Sequence, residues 1–359
     1  MRYPVLMIFS WLVMVLLPAM ANSTPVAGFF DTVKTVSLHS RIDVADELYE
    51  RKLKRMDSSF VITSLKQLIA IADSLDDQVL KCYAYSTFGD YYARIRGFNP
   101  LSTQLHYQAI DIAKGRGGPS VALFMSDFKL GRYYYNFKKY PNAFEFLLRA
   151  NYLAKEEGYG DDVESDELLF YLARAYHETG DYQNAAYYYT ESLKYKDVFN
   201  GTFRTIQSYN GLAAIAQNNK DFAGALYYLN LIIKFTSVKK DSTWQGLAKG
   251  FAGNIYFLEN KYDSAKTFLT EGYLSDTQHH EWVHAATCIL NLAAISVTEN
   301  NMQLAGKYLA DAKTCMGNTN SLANRKQLYE VLVKYYKKKA TLTLLLGSPK
   351  NYSWQKIAC

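Results

Sequence analysis

Apolar and small residues recur three and four positions apart along most of this chain, and short polar breaks such as Gly180-Asp181, Asn219-Lys220-Asp221 and Asn260-Lys261 interrupt them. That spacing marks one face of an amphipathic helix, so each break predicts a tight turn between two helices. The helical pairs repeat. Leu130 to Ala150 aligns without gaps on Leu172 to Ser192, Leu212 to Ile232, Ala252 to Gly272 and Leu292 to Ala312. Measured at the small residue near the start of each motif, Gly131, Ala173, Ala213, Gly253 and Ala293, the steps are 42, 40, 40 and 40. A fixed period in this range predicts a stacked array whose units bury their apolar faces on one another. A weaker unit precedes these, Phe88 to Tyr92 followed by Gln108 to Ala113, and a degenerate pair over Arg41 to Lys54 and Ser64 to Ala72 reads as a cap.

Within a unit, an alanine stands twelve positions after the small residue and an apolar or aromatic residue four further on, as in Ala185 with Tyr189 and Ala265 with Leu269. Small residues at such places let two helix backbones approach closely, so a bulky replacement at Ala185 or Ala265 is expected to overpack the pair by roughly 1 to 3 kcal/mol. Leu172, Ala173, Tyr176, Gly180, Tyr182, Ala185 and Tyr189 form the fullest copy, and on these residues the units resemble tetratricopeptide repeats. The resemblance implies an all-α fold, a TPR-like α-solenoid in which stacked helix-turn-helix repeats wind as a right-handed superhelix. Within that copy it assigns Tyr182 to the turn and Tyr189 to packing between the helices, with Tyr188 beside it, while Tyr187 is left over. The family period is about 34 residues. The longer period here requires longer helices or turns.

The organisation expected is a signal peptide over 1–21, a linker over 22–40, a degenerate N-terminal pair over 41–80, repeats over 81–316, and a partial last repeat with an atypical tail over 317–359. Arg2, the apolar run from Val5 to Leu17 and the Ala19-Met20-Ala21 site are the parts of an export signal. That run is short for a bilayer span of roughly 20 residues. The mature chain is therefore expected to be periplasmic or extracellular, with no transmembrane segment after the signal. Leu328 to Lys339 repeats the first-helix pattern, but Ala340 to Cys359 does not match a second helix, so the end reads either as a cap or as a truncated sensor portion of a membrane signalling protein.

Composition adds little that the pattern does not already say. The formal charge of +6 is spread along the chain, densest at Lys337-Lys338-Lys339, and argues against a nucleic-acid partner in an exported protein. The four cysteines, Cys82, Cys288, Cys315 and Cys359, form no C-x-x-C and read as free buried thiols, although Cys288 and Cys315 would share a repeat.

Nucleophile, phosphate-loop and dinucleotide signatures are absent, so no enzyme activity and no cofactor is expected. His280 and His284, four apart in HHEWVH, would share a helix face as two metal ligands do, but helix starts gather polar residues freely and no metal is assigned. The resemblance places the slots one, four and five after each small residue, and three before it, in a concave groove lined by first helices. On that basis the partner-binding residues are Phe128, Arg132, Tyr135, Asn136, Phe170, Arg174, His177, Asn210, Gln217, Asn218, Asn254 and Phe257. Arg132 and Arg174 fill one slot in consecutive repeats, where guanidinium groups can take a carboxylate bidentately. Asn210, Gln217 and Asn218 would bond the backbone of an extended peptide. A solvated helix face, with Arg174 paired to Glu178, is the alternative. The expected function is a non-enzymatic scaffold for a protein or peptide, with a glycan-binding surface protein as a further possibility.

Overall fold

A computed structural model describes residues 28–115, 120–158, 163–195 and 202–345. The expected signal segment, the tail beyond 345 and Cys359 lie outside the described residues. Every regular element described is helical, in two compact units, Met1–Tyr133 and Tyr134–Cys359.

The first unit holds α1 (Asp31–Thr35), α2 (Arg41–Arg51), α3 (Ser58–Ser74), α4 (Gln78–Arg96), α5 (Pro100–Ala113) and most of α6 (Ser120–Asn136). The stretch expected as a linker contains α1, whose Val33 is buried together with Phe30, and the Phe29 ring stands edge-on to Phe60 of α3 at 5.9 Å. Apolar burial thus ties down a segment too short to show a period. α4 and α5 form the first regular pair, and Gly89 brings them close, since a Cβ there would lie 2.8 Å from the His106 ring.

The second unit runs through α7 (Tyr140–Glu156), α8 (Val163–Glu178), α9 (Tyr182–Ser192), α10 (Thr202–Asn218), α11 (Phe222–Lys239), α12 (Ser242–Leu258), α13 (Tyr262–Gln278), α14 (Trp282–Thr298), α15 (Met302–Gly317) and α16 (Leu322–Leu345). Partners within a repeat, α8 with α9, α10 with α11, α12 with α13 and α14 with α15, pack as the 40-residue alignment requires, and α16 packs on α14 and α15. Ala185 and Ala265 are fully buried at these crossings. At Gly253 the approach is closer still, because a Cβ would come within 2.7 Å of the Leu269 amide nitrogen.

The period is finer than the alignment shows. From Tyr182 onward, helices start at 182, 202, 222, 242, 262, 282, 302 and 322, so the 40-residue unit is two 20-residue halves. From α10 to α14 each helix is followed by a left-handed residue, Lys220, Lys240, Asn260, His280 and Asn300, with φ between 57° and 62°. The next residue donates its N–H back to the carbonyl five residues earlier: Asp221 to Ala216 at 2.8 Å, Asp241 to Thr236 at 3.0 Å, Lys261 to Tyr256 at 2.9 Å, Glu281 to Asp276 at 2.7 Å, Asn301 to Ser296 at 2.8 Å. This is the Schellman closure, which satisfies carbonyls the helix end would orphan. Asp221, Asp241 and Asn301 then cap the following helix through their side chains. The extra length over the shorter repeat lies in helices of 16 to 18 residues joined by one standard turn.

Candidate functional site

First helices carry a regular exposure pattern. The slot one after the small residue, Asp90, Arg132, Arg174, Ala214, Asn254 and Ala294, is half-buried in every repeat, and the slot five after it, Arg94, Asn136, Glu178, Asn218, Leu258 and Thr298, is exposed in every repeat. Three before it, Phe128, Phe170, Gly250 and Leu290 are buried, and only Asn210 stays partly open. Phe128 and Phe170 therefore act in packing, the Phe170 ring lying 6.4 Å from Tyr189 of α9.

In the first unit the guanidinium expected to await a carboxylate already holds one. Arg132 Nη2 donates to Asp90 Oδ2 at 2.8 Å, and His106 Nε2 lies 3.4 Å from Asp90 Oδ1. Burial acts to raise the Asp90 pKa, but Arg132, His106 and Lys129 outweigh it and hold the carboxyl well below the usual range. Lys129, itself buried, donates to Thr87 Oγ1 at 3.3 Å and sits 4.3 Å over the Tyr83 ring. Tyr83 in turn donates to Asp46 Oδ1 at 2.9 Å.

The second unit presents a different arrangement. Phe170, Arg174 and His177 lie at i, i+4 and i+7 on α8, one face of the helix. Arg174 does not pair with Glu178. Its guanidinium carbon lies 5.2 Å from the Tyr135 ring centre and 5.5 Å from that of Phe170, and it makes no hydrogen bond or ion pair with any described residue. Two aromatic faces attract the flat cation and leave its N–H edge unspent. His177 stands 6.1 Å from Tyr189, and its buried Nδ1 has no partner among the described residues. Burial pushes the His177 pKa down and Arg174 adds to that, against Glu178, so the ring is neutral at pH 7. Burial pushes the Tyr135 phenol up to about 12, with Arg174 opposing. The cluster is a cation with unspent donors, framed by neutral aromatic groups.

Further along, Asn254 is joined to residues outside the expected slots. Asn291 Nδ2 donates to Asn254 Oδ1 at 3.0 Å, and Gln327 Nε2 donates to Asn291 Oδ1 at 2.6 Å, a chain of amides across α12, α14 and α16. Asn291 is buried, while Asn254 and Gln327 are half-buried. The amides of Asn210, Gln217 and Asn218 on α10 make no hydrogen bond to described residues. Phe257 is half-buried, its ring 6.4 Å from Tyr262. Asn291 had a visible signal, a single amide in the otherwise apolar run ATCILNLAAIS, but the slot rule passed over it.

Two other groups carry donor chemistry, the histidines beside Trp282 and the cysteines. His280 is the left-handed turn residue before α14, so it does not share a helix face with His284, and among the described residues no group of three metal-ligating side chains converges. Cys82, Cys288 and Cys315 are free and buried. Cys288 instead meets Asp276, which is sealed from water on α13 with Oδ1 unpartnered. Burial first, and then the Glu281 carboxylate, push Asp276 up to about 7. No described helix is long and apolar enough to cross a membrane.

No family model matches the chain, and no curated protein matches it by sequence. Solved structures do. The apo form of the quorum sensor NprR from B. thuringiensis superposes with a TM-score of 0.61 at 16% identity, over 85% of this chain and 86% of that one. A signal transduction ATPase from Pyrococcus horikoshii with a tetratricopeptide repeat sensor gives 0.60 at 18% identity, over 88% of this chain and 45% of that one. NprR in complex with its cognate peptide NprX gives 0.50 at 14% identity, over 86% and 88%. The chain has the all-helical, tetratricopeptide-like repeat fold that these proteins share.

Proposed function

We propose that this tetratricopeptide-like repeat protein binds a peptide, or an extended segment of a protein partner, along the first helices of its second unit, and that binding rather than catalysis is its work. The Arg174 guanidinium carries the reading: it is half-buried, stacked between Tyr135 and Phe170, and without a hydrogen-bond or ion-pair partner among the described residues. A desolvated guanidinium with open donors favours a carboxylate, either an acidic side chain or a chain terminus. The unspent amides of Asn210, Gln217 and Asn218 suit the backbone that would accompany it. The NprR structure with its peptide supports the same use of a similar fold. Arg132 has a smaller part in this reading, since Asp90 occupies it.

A peptide array probed with the full chain tests this. Captured peptides should lose at least about tenfold in affinity with Arg174→Ala and less with Arg174→Lys, which keeps charge but not the planar fork. Undiminished capture by Arg174→Ala, with helical circular dichroism intact, would remove the proposal.

Export is proposed on the residues of 1–21, and N-terminal sequencing of the chain recovered outside the cytoplasm, beginning at Asn22, tests it. The named sensors among similar structures favour a second reading of the same surface, as the receptor part of a signalling protein.

A further inference from the structure

α16 leaves bare a stripe whose counterparts on the preceding first helices of the second unit, at the Tyr329, Val333 and Tyr336 positions, are buried or half-buried. Leu322, Tyr329, Val333 and Tyr336 are 77%, 68%, 52% and 59% exposed. They fall within about 60° of one another around the helix, by its 100° step per residue. Shifted back by 40, Tyr329, Val333 and Tyr336 become Ile289, Ala293 and Ser296 of α14, all buried. Shifted by 80 and 160, Val333 becomes Gly253 and Ala173, and Tyr336 becomes Tyr256 and Tyr176. Those residues face the second helix of their own repeat. Gly253 lies against Leu269, Tyr256 stands 5.3 Å from Phe268, and Tyr176 stacks on Tyr188 at 5.5 Å. The opposite face of α16 is occupied, with Leu328 and Val331 buried in the core of α13 to α15 and Asn324 bonded to Thr287 at 2.9 Å. The open stripe therefore has the shape of a seat for a helix.

Charge decides what kind. On the same helical wheel Arg325 and Lys339 border the stripe on one side and Lys326 and Lys337 on the other, while Glu330 is the one carboxylate of α16. A second copy of this chain would bring the same cations face to face. Residues 346–359 carry Lys350 and Lys356 and no acid, so they too would add like charge. We infer that α16 is a docking surface for an acidic amphipathic helix of another polypeptide, which seats its apolar face on Tyr329, Val333 and Tyr336 and its carboxylates beside the four cations. Val333 stands where the other repeats have Gly or Ala, so the guest helix rides higher than α13 does on α12.

Two labelled 18-residue helical peptides test the inference on the full chain. Both carry the apolar pattern of α15, Leu304, Ala305, Tyr308, Leu309 and Ala312; one has Glu and the other Lys at the flanking positions. The Glu peptide should bind at least about tenfold tighter than the Lys peptide, with the gap narrowing at high salt. Val333→Glu should remove its binding. Lys326→Glu with Lys337→Glu, both at exposed positions, should reverse the preference, and this arm stands even if Val333→Glu perturbs the helix. Equal binding of the two peptides would overturn the inference. So would a dimer in sedimentation that Val333→Glu dissociates, or co-sedimentation with phosphatidylglycerol vesicles that it abolishes, since these identify a second copy or a lipid surface as the occupant.

Discussion

Cys288 Sγ lies 3.9 Å from Asp276 Oδ2, and both side chains are sealed from water where α12, α13 and α14 meet. Helices α12 and α13 touch almost backbone to backbone beside them, since a Cβ on Gly272 would be 2.7 Å from the Gly250 Cα. The thiol is a weak donor, and no cation among the described residues offsets a negative charge there. Asp276 is pushed up to about 7 by burial and by Glu281, whereas in the unfolded chain it titrates near about 3.9. The folded state then binds the extra proton between those values, so stability falls as pH rises from about 4 to about 7 and is level above. Asp276→Asn should abolish this part of the pH dependence and gain roughly 2 to 4 kcal/mol at pH 8. Burial lowers His284 and His177, which gives the opposite trend on the acid side. Urea unfolding of both proteins at pH 5 and pH 8 isolates the Asp276 contribution as the difference between them.

The left-handed turn residues are a reserve of stability. Lys220, Lys240 and Asn300 adopt positive φ with a Cβ that disfavours it. Each replacement by Gly should raise stability by roughly 0.5 to 1 kcal/mol, and Lys240→Val should lower it by more. Thermal unfolding of the single and triple variants measures both signs.

Gly253→Ala is expected to run against helix propensity. In an open helix interior the change gains about 1 kcal/mol. Here the new methyl meets the Leu269 backbone nitrogen at 2.7 Å, which no side-chain rotation relieves, so a net loss of roughly 1 to 3 kcal/mol is expected. A gain in denaturant midpoint would contradict the close crossing of α12 and α13.

Removing the middle amide of the α12, α14 and α16 chain separates its ends. Asn291→Ala should cost roughly 1 to 3 kcal/mol, because Asn254 Oδ1 and Gln327 Nε2 lose their partner. A double-mutant cycle with Gln327→Ala should return a coupling of about 0.5 to 1.5 kcal/mol. A coupling near zero would mean that water replaces the bond freely.

Much of the fold was legible because period is a property of sequence. The steps between Ala173, Ala213, Gly253 and Ala293 locate the helical pairs, and burial of Ala185 and Ala265 follows from their spacing. The 20-residue half-period was harder to see. Its signature lies in turn residues as unlike as Lys220, Asn260 and His280, which share a backbone conformation and not a chemistry. The same difficulty hid α1, held only by Phe30 and Val33. In the candidate site, Tyr135, Phe170, Arg174 and His177 do gather in one place. Slot analogy could not foresee that Asp90 would take Arg132 or that Arg174 would prefer two rings to Glu178, because those choices depend on which neighbours lie across the helix. Asn291 and Gln327 belong to no slot, and their contact spans 36 residues.

The identical turns after α11, α12, α13 and α14 also bear on how such a chain can change length. A connection within a repeat and a connection between repeats are the same Schellman closure, so the backbone itself does not record which helix is first and which is second. That record is kept by side chains alone, in Gly253 and Ala293 against Leu269 and Leu309. Insertion or loss of one 20-residue half would leave every turn satisfied yet exchange the two faces from that point on. Duplication in steps of 40 keeps the faces in phase, so whole repeats are the quantum in which this architecture can lengthen.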